Sequence, residues 1–174
     1  SHSILFIIIK IRFLMKDITI ESTLTVYDDY NELPPAIALL MDQASKARLK
    51  AYAPYSKFLV GAAILLDNGE IICGNNQENA SYPSGLCAER TAIYYAGSEY
   101  PDAKIITMAL TAGSQRHPTA SPIPPCGACR QAISEYEVKQ DLPIEIYFRG
   151  ETGKVVKSNS LANLLPLGFD RSFL

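Results

Sequence analysis

The apolar residues of this chain change period several times along its length, and the changes divide it into elements. Ile18, Ile20, Leu24 and Val26 alternate with polar residues, which predicts one or two edge strands. Asn31-Glu32-Leu33-Pro34-Pro35 interrupts that alternation and opens a helix, since Pro loses nothing at the first helical position. Ile37, Leu40, Met41, Ala44 and Ala47 recur at helical spacing, predicting a core-facing helix of about five turns. Tyr52-Ala53-Pro54-Tyr55-Ser56 stops it. From Phe58 to Leu66 both alternating sets are apolar, so this strand is central and covered on two faces. Asp67-Asn68-Gly69 predicts a hairpin turn, because Asn-Gly accepts positive φ, and Ile71 to Gly74 returns antiparallel.

Asn75 to Gly85 is a long polar loop, rich in side-chain donors and acceptors, of the kind that carries function. Cys87 to about Gly97 predicts a helix, Lys104 to Ala112 a buried strand, and Gly113 to Pro125 a Pro- and Ser-rich loop. Cys126 opens another helix through Ala132, Ile133 and Tyr136. Leu142 to Phe148 is a strand, Gly150 to Gly153 a turn, Lys154 to Lys157 a further strand, and Ser160 caps a short helix, Leu161 to Leu165. A hairpin followed by helix-strand-helix-strand implies an α/β fold, a three-layer α/β/α sandwich with a mixed, roughly five-stranded sheet.

With 174 residues, no internal repeat and no linker, the chain reads as one domain able to bury its own core. A net charge of −2 without a basic run argues against a nucleic-acid partner and against recruitment to an anionic membrane, leaving a small ligand. Residues 1–14 are set apart. Their apolar run is too short for a membrane span, is broken by Lys10 and Arg12, and has the wrong charge order for a secretory signal. They read as a dispensable extension before Met15, or alternatively as a strand added at a sheet edge or oligomer contact; residues 15–174 form the domain. Without a secretory signal the four cysteines point to metal or redox chemistry and a cytoplasmic protein rather than to disulfides. Cys73, inside an apolar run, is expected to be a small buried hydrophobe in a strand.

The chemistry concentrates in Cys87-Ala88-Glu89-Arg90 and Pro125-Cys126-Gly127-Ala128-Cys129. Cys87, Cys126 and Cys129 offer three thiolates at helix starts, where partial positive charge and free N–H groups lower a cysteine's pKa. Three protein ligands on tetrahedral Zn²⁺, one ion per chain, leave one position for water, and Glu89 is placed to move that water's protons. Arg90 is a candidate hydrogen-bond donor to the ligand sulfurs, offsetting the charge of a tri-thiolate site. Blander readings stand beside these: Glu89 as a first-turn residue facing the helix dipole, Arg90 as a solvated side chain, the cluster as a structural zinc site, or Cys-x-x-Cys as a redox pair. A structural site needs a fourth ligand, and His2 and His117 are poorly placed for it.

Pro54-Tyr55-Ser56-Lys57-Phe58-Leu59-Val60-Gly61-Ala62-Ala63, Gly74 to Tyr82, Cys87 to Ala92, Pro125 to Gln131 and Leu164-Leu165-Pro166-Leu167-Gly168-Phe169 occur in this order. Together they resemble the small homotetrameric cytidine deaminases, from about Ala36 to the C-terminus, and the zinc-deaminase pattern of a Cys₃ site with a non-ligand Glu. The resemblance implies that Cys87, Cys126 and Cys129 hold zinc and that Glu89 is the catalytic proton shuttle. It implies that Asn76 and Glu78 hold the ribose hydroxyls, that Phe58 packs on the nucleoside, and that the Ala88 backbone meets the pyrimidine edge. Tyr82 and Phe169 would complete sites on neighbouring subunits of a homotetramer, Phe169 by stacking on the base. Without the family, Phe58 and Phe169 would be core aromatics, and Asn76 and Glu78 solvated loop residues.

The activity implied is hydrolysis of cytidine and 2′-deoxycytidine to the uridines in pyrimidine salvage, zinc-bound hydroxide attacking C4. The alternatives are a deaminase of another aminated heterocycle, such as an aminonucleoside antibiotic, or a non-catalytic zinc-stabilised module. The chain departs from the family at Leu59, where Pro is common, and in the loop 113–125, which is longer than in compact members.

Overall fold

A computed structural model describes residues 15–174, so the expected extension, residues 1–14, lies outside the described residues. Six strands form one sheet: β1 (Thr25–Tyr27), β2 (Phe58–Leu66), β3 (Ile71–Asn75), β4 (Ile105–Ser114), β5 (Glu145–Arg149) and β6 (Val155–Ser158), in the order β1-β6-β5-β4-β2-β3. β4 and β5 pair in parallel, as a crossover through an intervening helix requires, and the other neighbours pair antiparallel. Helix α1 (Pro35–Arg48) covers one face; α2 (Ala88–Glu99) and α3 (Gly127–Gln140) cover the other. The three-layer sandwich is the one expected, with six strands rather than about five.

β1 is the expected edge strand at its Val26 end, three residues paired with β6 through Val26 and Val156. Residues 15–24 form no strand despite their alternation, and they pair with no strand among the described residues. Instead the Ser22 hydroxyl donates to the Asn163 carbonyl at 2.8 Å, and the Thr23 N–H donates to Asn163 Oδ1 at 3.2 Å. α1 has 14 residues, about four turns rather than five. It tightens at its end, where Lys50 and Ala51 donate to carbonyls three residues back. The short helix after Ser160 is a single 3-10 turn, Ala162–Leu164.

The double-faced pattern of β2 does what it predicts. Ala62, Ile64 and Leu66 pack with Ala92, Ile93 and Ile133 on the α2/α3 side, and Ala63 packs with Met41 and Ala44 beneath α1. In the β2–β3 hairpin only Gly69 takes positive φ (86°), so the connection is a tight turn ending in one left-handed residue rather than a pair of them. Cys73 is in a strand as expected but is exposed, not buried. Its strand is the sheet edge, and the side chain emerges at the margin of α1 beside Lys46 and Lys50. β4 runs to Ser114, two residues into the expected loop, because Gly113 and Ser114 pair with Leu59 and Phe58.

α2 lies directly on β3. A Cβ on Gly74 would stand 2.6 Å from the Ala92 nitrogen and 2.7 Å from the Ala88 carbonyl oxygen. Both contacts are main chain, so the first turn of α2 would have to move. Gly74→Ala is therefore expected to cost about 1–3 kcal/mol of stability, read as a lower urea midpoint. An unchanged midpoint would show that α2 is not seated against that strand.

Candidate active site

Two helix starts meet at one end of the sheet. Cys87 and Cys126 occupy the N-cap positions of α2 and α3, extended at ψ 156° and 167°, and neither helix has a side-chain cap. Cys129 lies one turn into α3 and is buried. The Sγ atoms of Cys87, Cys126 and Cys129 all lie within 4.8 Å of one another, and those of Cys87 and Cys126 are 3.9 Å apart. Tetrahedral zinc with sulfur at about 2.3 Å separates its sulfurs by about 3.8 Å. The donor set and its spacing fit zinc. Among the described residues no other His, Cys, Asp or Glu joins the cluster, and a tetrahedral ion held by these three alone would have one position not taken by protein. His117 is exposed in its loop, its Nδ1 facing the Pro118 carbonyl at 3.4 Å.

Arg90 Nη2 donates to Cys87 Sγ at 3.3 Å. Hydrogen bonds from the Cys129 thiol and then from Arg90 draw the Cys87 thiol below its ordinary range. The same network and burial hold Cys129 above it, and Arg90 is driven further towards its charged form by the Cys87 sulfur. Glu89 is 5% exposed, and burial, reinforced by the Cys87 charge, pushes its carboxyl up to about 7. The cluster thus sets a permanent cation on a ligand sulfur and a buried carboxyl next to the ligands.

Beside the thiols is a cavity of about 270 Å³, lined among others by Cys87, Cys126 and Glu89 and by Phe58, Asn76 and Glu78. It adjoins an outer cavity of about 430 Å³ through Ser56, Asn76, Glu78 and Cys87. Together they are of the size of small-molecule sites. The Asn76 amide continues the β2–β3 ladder by side chain: its Oδ1 accepts from the Val60 N–H at 2.8 Å, and its Nδ2 donates to the Phe58 carbonyl at 2.9 Å. One N–H and one lone pair of that amide remain. Ala88, fully buried, begins α2 between the ligand and Glu89.

Tyr82 lines the outer cavity and is 74% exposed, its ring 5.9 Å from that of Tyr55. Phe169 lines neither cavity. It is exposed in the C-terminal tail, stacked on Phe173 at 5.6 Å, with its carbonyl held by Gln131 Nε2 at 2.9 Å.

Residues 36–142 match the family model described as the cytidine and deoxycytidylate deaminase zinc-binding region. A curated cytidine deaminase of Sporosarcina psychrophila is 39% identical over 135 residues, covering 78% of this chain and 92% of its own. One from Halalkalibacterium halodurans is 47% identical over 97 residues, covering 56% and 69%. The crystal structure of cytidine deaminase from Burkholderia pseudomallei superposes with a TM-score of 0.65 at 37% identity, covering 75% and 97%. The chain belongs to the cytidine and deoxycytidylate deaminase family.

Within this deaminase domain several contributors carried no sequence signal of their own. Ser56, Val60, Ile123 and Pro124 line the inner cavity. Arg130 ties the metal end together, its Nε donating to the Pro125 carbonyl at 2.8 Å and its Nη1 to the Leu164 carbonyl at 2.8 Å. Only their membership of the quoted motifs could have drawn attention to Ser56 and Arg130. Arg90→Ala removes the cation from a ligand sulfur, so zinc affinity should fall about 10- to 100-fold in chelator competition. Unchanged affinity would show that the guanidinium does not support the metal.

Proposed function

We propose that this chain catalyses the hydrolytic deamination of cytidine and 2′-deoxycytidine to uridine and 2′-deoxyuridine, a pyrimidine salvage reaction. The observation that carries the reading is a buried carboxyl, Glu89, next to a three-cysteine cluster and lining one cavity with Asn76 and Glu78. Zinc, when bound, supplies the Lewis acid that brings a water's pKa near neutrality. Glu89 accepts a proton from the attacking water and delivers it to N3 of the base as the oxygen adds to C4. A second proton passes through Glu89 to the exocyclic nitrogen, the C4–N bond breaks, and cytidine plus water becomes uridine plus ammonia.

The remaining side chains bind and orient. Asn76 and Glu78 grip the ribose hydroxyls, Phe58 packs against the nucleoside, and the main chain at Ala88 meets the pyrimidine edge. Arg90, bonded to the Cys87 sulfur, favours the thiolate of that ligand. Tyr82 and Phe169, exposed in the chain alone, are assigned to sites shared across a homotetramer. Residues 15–174 are the catalytic domain, with 1–14 dispensable to it. No helix among the described residues is long and apolar enough to cross a membrane. Cysteine ligands suit a cytoplasmic location, where thiols stay reduced.

Glu89→Gln preserves shape and removes the proton acceptor. It should lower kcat for cytidine by about 10²- to 10⁴-fold while zinc stays near one per chain. The loss of cytidine ultraviolet absorbance and metal analysis on one preparation decide this. Near-normal turnover in the variant would remove Glu89 from the proton-transfer role.

A further inference from the structure

We propose that Ser56 is a positioning residue for the sugar end of the substrate: its hydroxyl orients the one Glu78 oxygen left free to accept from a ribose hydroxyl. This rests on the reading of Glu78 as the ribose-gripping group. Glu78 Oε1 accepts from two successive main-chain donors, the Tyr55 N–H at 3.0 Å and the Ser56 N–H at 3.1 Å. Oε2 accepts from the Ser56 hydroxyl. A carboxylate offers about four acceptor positions, two on each oxygen. Three are filled here, and the open one belongs to Oε2, the oxygen that Ser56 holds.

The Ser56 hydroxyl has a single proton, and it goes to Glu78. Its oxygen then accepts from the Phe58 N–H at 3.0 Å. One side chain therefore sets both the carboxylate and the start of β2, and Ser56, Phe58 and Glu78 all line the inner cavity. The turn that presents Ser56 is fixed on both sides. Lys57 sits in the left-handed region at φ 57°, its N–H bonded to the Ala53 carbonyl at 3.1 Å and its carbonyl to the Gln115 N–H at 2.8 Å. Burial is the largest single influence on the Glu78 carboxyl and raises it, but the bonds from Ser56 and Tyr55 and the Lys57 charge together outweigh it and hold the group below its ordinary range. Glu78 is thus an ionised acceptor, and a substrate hydroxyl must be the donor.

The plain alternative is that Ser56 only closes a turn through its bond to the Phe58 N–H. Steady-state kinetics of Ser56→Ala, Ser56→Thr, Glu78→Gln and the Ser56→Ala/Glu78→Gln double variant, with cytidine and with 2′,3′-dideoxycytidine, separate the two. In Ser56→Ala, KM for cytidine should rise about tenfold, the size of one hydrogen bond to a charged group, with kcat within about twofold. KM for the dideoxynucleoside, which lacks the 2′- and 3′-hydroxyls and keeps the 5′-hydroxyl, should not move. Ser56→Thr keeps the hydroxyl and should restore the cytidine value, and the double variant should be no worse than Glu78→Gln alone.

Equal KM increases for both nucleosides would overturn the proposal, as would failure of the Thr variant to rescue or independent multiplication of the two effects. A silent Ser56→Ala beside an impaired Glu78→Gln overturns the Ser56 proposal alone. A silent Glu78→Gln removes the ribose-gripping reading and this inference with it. Ser56 is exposed, so the alanine variant leaves the core untouched, and Ser56→Thr tests the same hydroxyl if it does not fold.

Discussion

Bringing three sulfur anions within a few ångströms of each other is the demand that organises this end of the molecule. In water such a cluster disperses. Here each of two helices offers a cysteine at its uncapped start, where unsatisfied N–H groups provide the positive end of a dipole. Arg90 adds a full charge to one sulfur. The helices themselves must be held to make this work. α2 is pressed onto β3 at Gly74, where no side chain intervenes, and the approach to α3 is pinned by Arg130 through the Pro125 carbonyl. The metal end is thus fixed by sheet packing and by one arginine outside the cluster.

The polar residues that line the cavity beside the cluster are held by a different device. Where the β3 main chain stops pairing, the Asn76 side chain takes over, bonding the Phe58 carbonyl and the Val60 N–H as a neighbouring strand would. Two residues on, Glu78 gathers the N–H groups of the turn before β2. Asn76 thus gives the fold half of its hydrogen-bonding capacity and Glu78 three of its four acceptor positions, while both line the cavity. A polar side chain held by several hydrogen bonds is rigid, and rigidity is what a substrate contact needs.

Much of this was legible in the sequence. The helical spacing of Ile37 to Ala47, the double-faced run Phe58–Leu66 and the Asn-Gly turn each reflect a local rule, and each element is present. The three cysteines were legible because metal ligation demands few residue types at narrow spacing. What was not legible depended on partners distant in the chain. Of the expected edge alternation only the Val26 end found a partner, in β6, while Ile18 and Ile20 pair with no strand among the described residues. Cys73 looked buried from its neighbours, but burial is set by where α1 ends, not by the run it lies in. Gly97 is near the end of α2 as expected, but what the sequence did not show is that the Tyr136 ring takes the space its side chain would fill. Ser56 and Arg130 are ordinary residues by composition, and only their hydrogen bonds distinguish them.

The account stands on a metal held by three sulfurs with one corner left for chemistry. X-ray absorption at the zinc edge of the resting protein tests this most directly. The prediction is three sulfurs at about 2.3 Å and one oxygen at about 2.0–2.2 Å. A fourth sulfur, the scattering signature of an imidazole, or no zinc at all would contradict it.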